Sequence, residues 1–157
     1  MLSEAGAWQA LQQVMDPEVP VLSVCDLGIV REVSSVEGAV EVTLTPTYSG
    51  CPATKVIEQA VREALLEAGA TDVRVHTRLA PPWTTDWLSE DAKTRLRAHG
   101  IAPPGGQAGV HVLRFQPACP RCGSRRTEQL SAFGSTACKA LHRCLDCREP
   151  FEYFKPL

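Results

Sequence analysis

The sequence predicts an α+β protein: a small αββαβ domain followed by a separate cysteine-bearing segment. Three observations carry that reading. Apolar spacing switches in the order helix, strand, strand, helix, strand over the first half of the chain. Two C-x-x-C pairs stand 21 residues apart near the end. Charge divides unevenly: residues 1–113 hold 8 basic and 14 acidic side chains, residues 114–157 hold 8 basic and 4 acidic.

Each element has its own signal. Residues 4–15 place Trp8, Leu11 and Met15 at spacings of three and four, which predicts a helix. Asp16-Pro17 ends it, because the residue before proline avoids the helical region. Residues 29–33 and 39–45 are expected strands around a turn at Glu37-Gly38; in the second, Val40, Val42 and Leu44 alternate with polar residues. The turn TPTYSG leads through Cys51-Pro52 into a helix over 52–68, with Ile57, Val61, Ala64, Leu65 and Ala68 as its buried stripe and Gly69 as its stop. Residues 72–79 are a third expected strand, in which Val73, Val75, Thr77 and Leu79 alternate with Arg74, His76 and Arg78. A Pro/Trp-rich loop follows, then a short helix from Ser89-Glu90-Asp91 to Gly100. The expected units are an α+β domain over 1–100, a Gly/Pro linker over 101–113 and a cysteine segment over 114–157.

Composition excludes several classes. The 157 residues are 44% hydrophobic and 22% charged, as in a globular protein rather than a disordered one. No apolar run reaches the roughly 18 residues that a membrane span needs. The opening MLSEAGAWQALQQVMDPE has no basic stretch before an apolar core, so a cytoplasmic location is expected. A net charge of −2 argues against a general nucleic-acid binder, and no membrane partner is expected.

Seven cysteines, an odd number, do not suggest a disulfide framework in such a setting. Cys119, Cys122, Cys144 and Cys147 form the two C-x-x-C knuckles, whose thiolates suit a tetrahedral Zn²⁺. A segment this short, with few large apolar side chains, needs such a metal in place of a core. The expectation is a C-terminal zinc ribbon in which four cysteines hold a structural ion, the alternatives being an iron–sulfur cluster or a redox dithiol. Four closed ligands leave no open position for catalysis. Cys138 is either a small buried residue or an auxiliary thiol for transient metal binding. His142 is expected on a strand surface, His76, His99 and His111 in solvent, and Cys25 in the core.

Cys51 precedes a proline at a helix start, where free N–H groups and the helix dipole favour a thiolate, with Lys55 one turn on. Thr45, Thr47 and Ser49 bring hydroxyls to the same turn. Asp16 and Glu18 are candidate carboxylates for a metal near it. Spacing alone leaves two readings open, an activated thiol and an inert, part-buried turn residue.

DPEVPVLSVCDLGIV (16–30) with TPTYSGCP (45–52) resembles the iron–sulfur assembly family that includes bacterial SufT and the cytosolic assembly factors of eukaryotes. With the tail CPRCGS…FGSTACKALHRCLDCREPFEYFK, the whole arrangement is similar to the PaaD (PaaJ) family of accessory proteins encoded with the multicomponent phenylacetyl-CoA epoxidase. The resemblance implies a role in maturing an iron–sulfur or non-haem-iron client, with Cys51 as the functional thiol and Asp16, Glu18, Thr45 and Thr47 around it. It implies transient iron or an iron–sulfur cluster as cargo, and an epoxidase reductase or di-iron oxygenase as protein client. A structural subunit of the epoxidase complex is the alternative, with Trp83, Trp87 and Phe133 as interface anchors. A homo-oligomer is compatible with either. With no nucleophile–base–orienter set and no phosphate loop, a non-catalytic role in phenylacetate catabolism is expected.

Overall fold

A computed structural model of the chain describes residues 1–48, 50–104 and 116–156. Ser49, His111 and residues 105–113 of the expected linker lie outside the described residues. The chain divides into two compact units, Met1–Trp83 and Thr84–Leu157.

The first unit has the expected order: α1 (Glu4–Leu11), β1 (Val30–Val36), β2 (Ala39–Leu44), α2 (Ala53–Glu67) and β3 (Asp72–Thr77). Ser3 caps α1 by accepting the Gly6 N–H at 3.1 Å. The helix is a turn shorter than its apolar spacing predicts. The N–H groups of Gln13 and Val14 bond three residues back, to Ala10 and Leu11, which tightens the chain out of the helix before Asp16-Pro17. Met15 is therefore half exposed and bridges to Ser23 instead of packing on a helical face.

Strands β1 and β2 pair antiparallel through a turn whose Glu37 and Gly38 both have positive φ, 52° and 84°. That is the twist a tight hairpin requires. Strand β3 joins β2 in parallel, Val40 opposite Val73 and Val42 opposite Val75. The sheet order is β1-β2-β3. Helix α2 connects β2 to β3 and buries Ala53, Ile57, Val61 and Leu65, each large aliphatic stabilising by about 1.5–3 kcal/mol. Ala64 and Ala68, expected in that stripe, are half-buried and exposed at its margin. Strand β3 stops at Thr77, two residues short of the expected end, and Thr77 and Leu79 are exposed. The opposite sheet face is an ionic lattice, in which Glu41 pairs with Arg74 at 3.5 Å and Glu32 with Arg78 at 2.9 Å.

The second unit begins earlier than the expected boundary at residue 100. It contains a 3₁₀ turn (Thr85–Trp87), α3 (Glu90–Ala98), β4 (Ile101–Ala102), β5 (Thr127–Ser131), β6 (Lys139–Cys144) and β7 (Pro150–Phe154). Ser89 caps α3 through the Ala92 N–H at 3.0 Å, as its Ser-Glu-Asp start predicts. Ile101 and Ala102, read as the start of a linker, pair in parallel with Glu152 and Tyr153 of β7. Their pairing ties α3 to the four-stranded sheet β4-β7-β6-β5. One face of this sheet buries Ala102, Ala140, Phe151 and Tyr153 with Cys119 and Cys144.

Candidate metal centre and thiol site

The ribbon's two knuckles have matching hydrogen bonds. In the first, the Cys119 N–H donates to the Ser124 carbonyl at 2.8 Å; in the second, the Cys144 N–H donates to the Glu149 carbonyl at 3.0 Å. Backbone N–H groups point at the sulfurs, Arg121 N to Cys119 Sγ and Cys147 N to Cys144 Sγ, each at 3.4 Å. The Cys147 N–H, with that of Asp146, holds the Cys144 thiol down at about 7, while neighbouring thiols and burial push Cys122 and Cys147 up.

All four sulfurs lie within 4.8 Å of one another. Cys119 and Cys147 are 3.7 Å apart, Cys122 and Cys144 3.5 Å. A tetrahedron with metal–sulfur bonds of about 2.3 Å has edges of roughly 3.8 Å, so the cage fits one tetrahedral ion. Cys119 and Cys144 are buried, Cys122 and Cys147 exposed. A supporting interaction that sequence reading missed spans the knuckles. Ser124 Oγ donates to the Asp146 carboxylate, and Arg126 pairs with the other oxygen of that group at 2.5 Å. Its only sequence signal is an acidic residue inside the second C-x-x-C.

Cys138 is buried on the segment entering β6, its sulfur 3.0 Å from the Thr136 hydroxyl. It is not one of the clustered ligands. His142 corrects an expectation: it is 5% exposed, not on a surface. It shares a face of β6 with Ala140 and Cys144, stacks on Phe151 (centroids 5.7 Å) and meets Tyr153 edge-on (5.3 Å). Burial lowers its pKa, and neither ring nitrogen has a hydrogen-bond partner among the described residues. His76 and His99 are exposed, as expected.

In the first unit, Cys51 stands at the end of the turn that enters α2. Pro52 takes the cap position in helical conformation without a side-chain cap, so Cys51 lies one residue before the cap. Cys51 is 7% exposed, and its carbonyl accepts the Thr54 N–H at 3.1 Å. Lys55, one turn on, is solvent-exposed and reaches Glu58 at 3.9 Å. At the other end of the turn, Thr45 is 1% exposed, its N–H bonded to the Ile29 carbonyl at 2.8 Å. Its hydroxyl has no partner among the described residues. Thr47 is half-buried in the same turn.

Asp16 is buried, and its Oδ1 accepts the N–H groups of Glu18 and Val19, both at 2.8 Å. That carboxylate organises the loop after α1, while Glu18 is half-buried. Asp16, Glu18 and Cys51 are not gathered into a three-ligand group: among the described residues, the only such group is the ribbon's. Cys25, expected in the core, is half-buried in a turn, where burial and then the Asp26 carboxylate push its thiol up to about 11. Trp83 is buried rather than presented to a partner, Trp87 is half-buried, and Phe133 is 63% exposed.

Fold and sites define a two-part molecule, an α+β domain of the iron–sulfur assembly type followed by a four-cysteine ribbon. The "Iron-sulfur cluster assembly protein" family model matches residues 4–77, and that of the "PaaD zinc beta ribbon domain" matches residues 109–155. The chain is 52% identical over 94% of its length to the D component of the putative 1,2-phenylacetyl-CoA epoxidase of Escherichia coli, covering 90% of that protein. It belongs to the family of that epoxidase component. It is also 40% identical to a Bacillus subtilis Fe-S protein maturation auxiliary factor, over 55% of this chain and 86% of that one. In structure it is similar to a domain of unknown function from Bacillus anthracis, at TM-score 0.55 and 29% identity over 59% of this chain and 90% of that one.

Proposed function

We propose that this protein is a non-catalytic accessory factor that assists iron–sulfur or iron-centre assembly in a client subunit of a phenylacetyl-CoA epoxidase system. The observation that carries the reading is the match of residues 4–77 to the iron–sulfur assembly family, with Cys51 in the turn entering α2. Names of relatives point the same way: an epoxidase component over 94% of the chain, and an Fe-S maturation factor over 55% of it.

In this reading iron or a cluster is cargo, taken by the Cys51 thiolate. The buried Thr45 hydroxyl, unpartnered among the described residues, stands at the other end of the same turn. Asp16 shapes the neighbouring loop and Glu18 supplies a nearby carboxylate. The ribbon cysteines hold structural zinc, which cross-links the two knuckles, and Cys138 stays outside that cage. The ribbon docks on the client, the reductase or the di-iron oxygenase, in the cytoplasm.

The test compares iron in the client purified from cells that carry wild-type protein, Cys51→Ala or Asp16→Asn. Cys51→Ala leaves the fold intact and the client short of iron. Asp16→Asn keeps the acceptor oxygen for Glu18 and Val19 and separates loop support from a charge requirement. A client fully loaded with iron in the Cys51→Ala strain contradicts the role given to the thiol.

A second reading, a structural subunit of the epoxidase complex, draws on Phe133. Its exposed ring lies beneath the Lys155 ammonium, 4.4 Å from the centroid. Co-purification at fixed stoichiometry with a normally loaded client in the Cys51→Ala strain favours it.

A further inference from the structure

The second unit carries a concavity of about 360 Å³ that abuts Cys119 but is separate from the sulfur cage. Its walls are largely prolyl and apolar, from Ala102, Pro103, Pro104 and Pro117, and two guanidinium-bearing residues, Arg97 and Arg125, line it. Arg97 stands in the last turn of α3, and Arg125 follows the first knuckle. A third arginine, Arg121, comes within 3.8 Å of where a Cβ on Gly100 would stand, just beyond α3.

Most arginines elsewhere among the described residues have a partner, the exposed Arg148 being an exception. Arg74, Arg78, Arg95, Arg126 and Arg143 each pair with a carboxylate. The guanidinium groups of Arg97, Arg121 and Arg125 have neither an ion pair nor a hydrogen bond among the described residues. Arg97 and Arg125 share one concavity with no carboxylate partner among the described residues; like charges repel there, and an anion seated between them relieves that. The volume falls in the range of small-molecule sites, and rigid prolines keep such a wall pre-formed.

We infer that this concavity is a binding site for a small organic anion, a carboxylate or phosphate on a compact apolar body. The charged group meets Arg97 and Arg125, and the apolar body lies along Pro103, Pro104 and Pro117. The assignment is independent of the Cys51 site. Charge balance for a zinc tetrathiolate, which carries −2 and attracts arginines with no ligand present, is the competing account, and it predicts that Arg97→Ala and Arg125→Ala leave benzoate binding unaltered.

The test titrates the zinc-loaded full chain, followed by backbone amide resonances, with three probes: benzoate, benzamide of the same shape without charge, and inorganic phosphate without an apolar body. Benzoate is expected to shift the Ala102, Gly123 and Arg125 amides saturably, with benzamide and phosphate weaker. Arg97→Ala and Arg125→Ala each weaken benzoate by roughly tenfold or more, the loss typical of one charge-assisted hydrogen bond. Arg126→Ala, whose guanidinium is committed to Asp146, leaves binding unchanged. Zinc content, measured in parallel, separates loss of the site from loss of the ribbon. No saturable shift with benzoate overturns the inference. So does benzamide binding as tight as benzoate, or arginine variants that lose zinc while benzoate affinity per folded molecule is unaltered.

Discussion

Gly123 and Arg148 occupy the same place in the two knuckles: each follows the second cysteine of its pair, and each adopts a left-handed conformation, with φ of 78° and 66°. The backbone must turn sharply there for the chain to leave the metal cage. Glycine adopts that turn without a Cβ clash, whereas an ordinary side chain costs roughly 1–2 kcal/mol.

Arg148→Gly should therefore stabilise the ribbon, by up to about 1 kcal/mol once glycine's extra unfolded-state freedom is subtracted. Gly123→Ala should destabilise it by about 1–2 kcal/mol. Zinc-dependent unfolding curves check both signs, and a stabilising Gly123→Ala would show that the left-handed turn is not strained.

Trp83 donates its indole N–H to the Leu27 carbonyl at 2.7 Å, and both residues are buried. This bond anchors the end of the first unit to the loop before β1. Trp83→Phe keeps most of the apolar surface but leaves that carbonyl unpaired, a loss of about 1–3 kcal/mol. Urea unfolding measures it, and unchanged stability would return Trp83 to the role of a partner-facing residue.

The aromatic face around His142 gives a test with the opposite sign. Two ring nitrogens are buried without partners among the described residues, between Phe151 and Tyr153. His142→Leu, close in volume and free of polar atoms, should raise stability by about 1 kcal/mol. His142→Ala should lower it by about 2–4 kcal/mol through the cavity left behind. Thermal unfolding of the metal-loaded chain distinguishes these outcomes, and a destabilising His142→Leu would mean that a nitrogen makes a needed bond.

Cys25 should be a slow thiol. Its pKa is raised from 9.0 to about 11, so at pH 8 its thiolate is roughly a hundredfold scarcer than that of an unperturbed thiol. The thiolate fraction grows as pH rises through about 11. Alkylation of the folded chain, read by mass spectrometry at pH 8 and pH 10, should show Cys25 labelling speed up at the higher pH while still trailing an unperturbed thiol by roughly tenfold. Full labelling at pH 8 as fast as a free cysteine contradicts the burial argument.

Much of this was legible before any coordinates. The αββαβ order follows from alternation in Val40-Glu41-Val42-Thr43-Leu44 and from the stripe Ile57-Val61-Leu65, because local periods report which face is buried. C-x-x-C spacing likewise locates all four clustered sulfurs. Sequence reading failed where tertiary contacts decide. Two residues, Ile101 and Ala102, are too short a run to announce a strand; only the available edge of β7 makes them one. His142 reads as a surface histidine until β7 supplies Phe151 and Tyr153 to cover it. Asp16 is a local matter: its Oδ1 accepts the N–H groups two and three residues on, a turn that a loop carboxylate before a proline does not by itself announce.

The central claim is a division of labour, with structural zinc in the ribbon and cargo iron at Cys51. Its most direct test is the zinc, iron and acid-labile sulfide content of wild-type and Cys51→Ala protein, purified without oxygen and exposed to ferrous iron and sulfide. The account predicts about one zinc per chain in both proteins, and iron that binds the wild type but not Cys51→Ala. Iron and sulfide retained equally by Cys51→Ala, and lost together with the metal of the ribbon cysteines, would contradict it.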